Sequence, residues 1–218
     1  MKLPKRVLFV GAHCDDVELL AGGLLARACE EALDVGVLVY SDHRGVLSDR
    51  LAEQAREEFR ANLAWLTGET GTPITDHSTL MLGACDGSFL ARRAEIYATL
   101  EGLRGAYDLV VTHARGDTNQ DHRQVVEEAT RALKGHTTLV SGEFPNNDMG
   151  SFDAGFYVAL SSFAVEAKAR MIEAYASQRR DGRPYLDGTV ARALARVRGS
   201  QIRAEAAEAF EVVRVTLR

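Results

Sequence analysis

The sequence predicts an α/β fold in which a mostly parallel sheet is flanked by helices in a single domain. Two observations carry this expectation. Short apolar runs of strand length alternate with amphipathic helical stretches, the pattern of βαβ units joined by right-handed crossovers. The chain of 218 residues is 46% hydrophobic, with no internal repeat and no low-complexity linker, which suits one core over residues 1–218.

Each element follows from its local pattern. Arg6–His13 is a buried-type strand, and Val17–Leu33 a helix with Leu19, Leu20, Leu24 and Ala28 near one face. Val35–Tyr40 is the second strand. Arg50–Leu66 is a charged amphipathic helix carrying Phe59, Leu63 and Leu66. Ser78–Leu82 reads as a short strand, Phe89–Leu103 as helix, and Tyr107–His113 as a strong strand. A polar loop leads to a helix from about His122 to Lys134. Thr138–Ser141 and Phe156–Ser161 are further strands, Val165–Ser177 and Thr189–Val197 helices, and Phe210–Leu217 a closing strand.

The totals narrow the function classes. The formal net charge of −5 gives no sign of a nucleic-acid partner. The charge is uneven: residues 160–218 carry 11 Lys/Arg against 7 Asp/Glu, most simply a set of solvated helices. No apolar stretch approaches the ~18 residues of a membrane span. The basic start MKLPKRVLFVGAH is followed by no small-residue cleavage site, and Cys14, Cys29 and Cys85 are odd in number and lack CxxC spacing. Both features point to a cytoplasmic protein with reduced thiols. The first strand-helix turn reads A-H-C-D-D instead of G-x-G-x-x-G, which argues against a dinucleotide cofactor.

Two polar clusters sit at predicted strand ends, where open α/β sheets bind ligands. VGAHCDDVELLAGG (10–23) ends the first strand, and THARGDTNQDH (112–122) ends the Tyr107–His113 strand. Asp15 with Glu18 three residues later also fits a helix-capping box. That alternative leaves unexplained why a histidine closes each strand. Zinc accepts imidazole and carboxylate ligands, and catalytic sites supply three of them, so His13, Asp16 and His122 would form such a set. Asp15 would then be free to act as a base.

AHCDDVELLAGG resembles the A-H-P-D-D-x-E signature, and GDTNQDHRQVV the D-x-H-x-D-H-R segment, of the LmbE-like (PIG-L) deacetylases. KARMIEAYASQ (168–178) and VRGSQIRAEAAEAFEVVR (197–214) are similar to the family's later segments, so the resemblance spans nearly the whole chain. It implies a Rossmann-like fold, a divalent metal (usually zinc) and hydrolysis of N-acetyl groups from amino sugars or their conjugates. It also implies His13, Asp16 and His122 as ligands and Asp15 as general base. Cys14 replaces a proline of the signature and reads as a small buried filler. Asn119 stands where many members have a histidine that stabilises an oxyanion or shuttles a proton. Asparagine donates a hydrogen bond but carries no proton. His113 is the candidate to take over, or else a strand-end histidine bonded to its loop.

The remaining candidates are assigned more loosely. Asp121 orients a ligand or caps the helix that follows. Glu18 is assigned to capping, and Gly22 and Gly23 to close packing of the first helix on the sheet. In the loop SDHRGVLSDR (41–50), Arg44 and Arg50 suit a phosphate or carboxylate, or are ordinary surface charge. His43 is a weaker candidate for the same role, because loop histidines are usually solvated. Asn146 and Asn147 suit sugar hydroxyls, or form the turn that Pro145 favours. Gln178 and Arg183 follow the S-Q motif.

The leading expectation is therefore a zinc-dependent N-deacetylase of an amino sugar, nucleotide sugar or glycoside, releasing acetate. Two histidines and an aspartate also suit Fe2+ or Co2+. The partner is a small N-acetylated sugar or conjugate, and a homo-oligomer is compatible with this class. The alternatives are a non-catalytic sugar- or nucleotide-binding protein on the same fold and a metal-dependent amidase acting on a thiol conjugate.

Overall fold

Strands covered on both faces must be apolar along their length, and the first strand obeys this rule from its second residue up to the histidine that ends it. In the computed structural model, which describes residues 2–144, 146–148, 150–179 and 183–216, it lies in the middle of the sheet. The elements run β1 (Arg6–His13), α1 (Asp16–Glu30), β2 (Asp34–Ser41), α2 (Asp49–Thr70), β3 (Ile74–Asp76), α3 (Ser88–Ala91) and α4 (Arg93–Gly102). They continue as β4 (Leu109–Thr112), α5 (Gln120–Ala132), β5 (Thr138–Gly142), β6 (Phe156–Ala159), α6 (Ser162–Glu173), α7 (Gly188–Gln201) and β7 (Ala207–Arg214). The seven strands are ordered β3-β2-β1-β4-β5-β7-β6. The first five in sequence are parallel, and β7 is antiparallel to both its neighbours. Val7, Phe9 and Val37 belong to an apolar cluster with Leu24 and Phe59, whereas Leu8, Val10 and Leu38 pack with Phe89, Ile96 and Val125. Alternating side chains thus build one core on each face of the sheet. No helix of the described residues is long and apolar enough to cross a membrane.

The expected α/β architecture is present, with three local corrections. The third strand is Ile74–Asp76, not Ser78–Leu82. Residues 77–82 still run beside β2, but the Ser78 hydroxyl accepts the Val39 N–H and Leu80 sits at φ +51°, which interrupts the ladder. Phe89–Leu103 is two helices broken at Arg92, whose φ of −108° is non-helical. The closing strand begins at Ala207, earlier than Phe210; Leu217, with Pro145 and Met149, lies outside the described residues.

The glycine pair meets more than the sheet. Helix α1 is kinked at Ala21, which deprives Gly23 and Leu24 N–H of regular helical acceptors. The Glu208 carboxylate of β7 accepts both, at 2.9 and 2.6 Å. Lys168 of α6 pairs with the same carboxylate at 2.7 Å. A Cβ on Gly23 would lie 2.5 Å from Leu160 Cδ1 and 3.0 Å from the Glu208 carboxyl carbon, so only glycine allows this approach. Two C-terminal segments of the chain thereby brace the helix that follows the His-Cys-Asp-Asp turn. Glu208→Ala would leave a buried ammonium and two N–H groups without their partner. It is expected to cost about 3 kcal/mol or more, lowering Tm by roughly 6–12 °C in calorimetry.

Candidate active site

The turn from β1 into α1 and the loop from β4 into α5 lie at the carboxyl edge of adjacent strands, so their polar residues converge. In the first turn, the His13 N–H donates to Asp16 Oδ2 at 2.6 Å, which holds the carboxylate beneath the strand end. In the second loop, Asp117 Oδ1 accepts the Asn119 N–H and Asn119 Oδ1 accepts the Asp121 N–H, both at 2.8 Å. These bonds start α5 with His122 facing β1.

Three acceptor atoms meet there. His13 Nδ1 lies 3.2 Å from His122 Nε2, and each of these nitrogens lies 3.3 Å from an oxygen of Asp16. Ligands about 2.0–2.1 Å from a tetrahedral cation are separated by roughly 3.3 Å, and the two nitrogens, each 3.3 Å from a different oxygen of Asp16, have that spacing. The far side of each ring fixes its tautomer. His13 Nε2 is 3.0 Å from Asp121 Oδ2, and His122 Nδ1 is 2.7 Å from Asp117 Oδ2. With those nitrogens donating to carboxylates, the inner nitrogens present lone pairs. Two ring nitrogens and a carboxylate turned toward one point suit a cation, and the residues present fit a divalent metal.

The carboxylates around the two rings favour positive charge at this point, whether carried as protons or as a cation. Burial opposes charge on His13 and His122, yet Asp16, helped by Asp121 and Asp117, pushes them up to about 9 and about 10. Burial also opposes charge on Asp16, but His122, His113 and His13 hold it well below the usual carboxylate range. His113, Asp117 and His122 form a second ligand-like group. Neither His113 nor Asp117 lines the cavity above His13 and His122, so the first set is the one a substrate can approach.

An open cavity of about 190 Å³ lies over that set. Asp15, His43, Asn119, Asn146, Asn147 and Arg183 are among its lining residues. Asp15 occupies the position before α1, yet its side chain makes no capping bond. Its Oδ1 is instead 2.9 Å from His43 Nε2, and the His43 ring stacks on His13 with centroids 4.7 Å apart. His43 holds a left-handed backbone, φ +66°, which turns its ring into the cavity. Asn119 caps α5 through its oxygen, leaving its amide nitrogen as the group able to donate. Asn147 Nδ2 is 3.3 Å from His122 Nδ1, and Asn146 Nδ2 donates to Asn147 Oδ1 at 3.1 Å.

Several expectations need correcting. His113 does not line the cavity. It is buried behind Asp16, 3.2 Å from Oδ2, and its Nε2 accepts the Ala12 N–H at 3.0 Å. Its contacts support a ligand and cannot replace a histidine at 119. Asn119, not Asp121, caps α5, while Asp121 bonds the His13 ring and the Cys85 N–H. Glu18 caps nothing: it is fully buried, accepts from Tyr175 Oη at 2.8 Å and from Asn62 at 3.1 Å, and burial pushes it up to about 8. The Tyr175 hydroxyl is shared between Glu18 and the Cys14 carbonyl, and so clamps the ligand turn from the K…Y-x-S-Q segment. Cys14 is buried, which pushes its thiol well up. Arg44 lines a different cavity and Arg50 is exposed on the first turn of α2, lining neither. Asp117 and Cys85 are the site residues that sequence reasoning passed over, and His43 was only a weaker candidate. Only Asp117 carried a signal, since it opens the GDTNQDH segment.

The sequence pattern of the GlcNAc-PI de-N-acetylase (PIG-L) family matches residues 8–133. No curated protein matches the chain. Among solved structures, N,N'-diacetylchitobiose deacetylase from Pyrococcus horikoshii superposes with a TM-score of 0.74 at 17% identity, over 96% of this chain and 84% of that one. The zinc-inhibited form of teicoplanin deacetylase Orf2 does so at 0.71 and 16%, over 94% and 96%. The 4-carboxy-2-hydroxymuconate hydratase from Pseudomonas putida does so at 0.67 and 19%, over 98% and 99%. At these identities the likeness is one of fold; two of the three are named as deacetylases and the third as a hydratase.

Proposed function

Because the chain belongs to the PIG-L (GlcNAc-PI de-N-acetylase) family, we propose that it is a metal-dependent hydrolase. It removes the N-acetyl group from an amino sugar or its conjugate and releases acetate. One observation carries this reading: an uncommitted carboxylate, Asp15, shares a cavity with three convergent metal-ligating atoms. The two deacetylase relatives support the choice of bond. Zinc is the metal proposed, with Fe2+ or Co2+ fitting the same donors. The three free cysteines fit a cytoplasmic setting.

A cation held by His13, Asp16 and His122 would supply Lewis acidity, polarising the amide carbonyl and bringing the pKa of water toward ~7. Asp15 then takes a proton from the attacking water. The Asn119 amide donates to the oxyanion that develops on the carbonyl; one such donor is worth roughly 3 kcal/mol. The proton passes to the leaving nitrogen as the C–N bond breaks, giving acetate and a free amine. Asn146, Asn147 and Arg183 face the same cavity and suit sugar hydroxyls. Acetate release from a panel of N-acetylated amino sugars, nucleotide sugars and glycosides tests the reading. Turnover on at least one member is expected, and none on any would sink it.

His43 serves as a positioning residue, since its ring nitrogen holds one oxygen of Asp15 and leaves the other toward the cavity. His43→Ala is expected to lower kcat about tenfold or more, with KM little changed. His43→Gln keeps an N–H donor and should recover much of the loss. Steady-state kinetics with metal content measured in parallel would show this. If the glutamine variant is as impaired as alanine, the hydrogen bond is not what matters.

A further inference from the structure

A second cavity, of about 270 Å³, opens beside the carboxyl ends of β2 and β3. Its walls come from three separate segments: Arg44 after β2, Arg56 and Arg60 one turn apart on α2, and Ser78, Thr79 and Met81 after β3. Three guanidinium groups line it and no acidic side chain does. The nearest compensating charge is Asp42, buried behind it. Asp42 is gripped by both nitrogens of the Arg44 fork at 2.8 and 2.7 Å, and by Arg56 Nη2 as well. Burial would raise Asp42, but these arginines hold it at about 2. Asp49 at the start of α2 acts on Arg44 as well, so the three guanidinium groups still outnumber the carboxylates that face them.

The surplus is built, not loose. Asp42 pins Arg44 and Arg56 in place. Arg56 Nε is buried with no acceptor among the described residues, an arrangement that normally costs free energy unless a ligand fills it. Arg60 makes no ion pair among the described residues. Arginine forks match the oxygens of phosphate, and the positive excess suits an anion. Ser78 and Thr79 supply hydroxyl groups, while Met81 offers an apolar wall.

We propose that the Arg44–Arg56–Arg60 cavity is a second ligand site, binding the phosphate group of a small phosphorylated molecule. The site is separated from the metal-ligand cavity by the loop that carries His43, and the proposal does not depend on the reaction assigned above. The probe is inorganic phosphate, titrated calorimetrically into the wild-type protein and Arg60→Ala. Arg60 is exposed and unpaired, so its loss should leave Tm unchanged. Saturable binding weakened about tenfold by the substitution is expected. Phosphate held at the metal ligands would not respond to Arg60, so equal affinity in both proteins overturns the proposal. So does no binding up to about 10 mM. Two further arms identify the source of the phosphate. A KM lower for N-acetylglucosamine 6-phosphate than for N-acetylglucosamine, with the difference lost in Arg60→Ala, assigns it to the substrate. A change in acetate release on adding glucose 6-phosphate, lost in the same variant, assigns it to an effector. If the wild type releases no acetate, the reaction assignment fails while the calorimetry still decides the site.

Discussion

Replacing Asp15 by asparagine is expected to lower kcat for acetate release by about a thousandfold, with metal content unchanged. Asp15 is buried, lines the cavity over the ligand set and has one oxygen hydrogen-bonded to His43 Nε2. An asparagine has the same shape, and its oxygen can still accept from His43. What it cannot do is take a proton from water. The fold should therefore persist, because Asp15 makes no capping bond to lose. Assaying acetate release and metal content on the same preparation separates the two properties. Turnover close to wild type would move the general base to another residue. Loss of metal would show that Asp15 belongs to the ligand set.

The ligand set was legible because each member sits in a short motif at a strand end. Open parallel sheets bring such ends to one edge, so His13 and His122 could be placed together although 109 residues apart. The sheet itself was legible for the same reason, since buried parallel strands announce themselves as apolar runs. What surrounds the ligands was harder to read. The value of His43 depends on a left-handed backbone and a partner 28 residues away, neither of which has a local signature. Glu18 looked like part of a capping box because the i to i+3 spacing is right. Its actual partners, Asn62 and Tyr175, are 44 and 157 residues distant. The same holds for Glu208, whose carboxylate serves a kink in α1 at a separation of 185 residues. Ser78–Leu82 had strand composition, but a side-chain hydroxyl displaced the backbone ladder. Local pattern fixes where chemistry can occur; tertiary contacts decide which neighbours support it.

The second large effect is expected from His122→Ala. The substitution removes one of three ligands and the only one supplied by α5. It also strands Asp117, whose carboxylate is then left without the imidazole it holds at 2.7 Å. Two remaining protein ligands on one turn do not make a catalytic zinc site, so metal and turnover should be lost together. The measurement that bears most directly on the site is metal content by elemental mass spectrometry, on the wild type and His122→Ala purified side by side. About one equivalent of zinc, iron or cobalt in the wild type and almost none in the variant is the expected result. A wild type that carries no metal and takes up none from added zinc would contradict it, as would a variant that keeps its full complement.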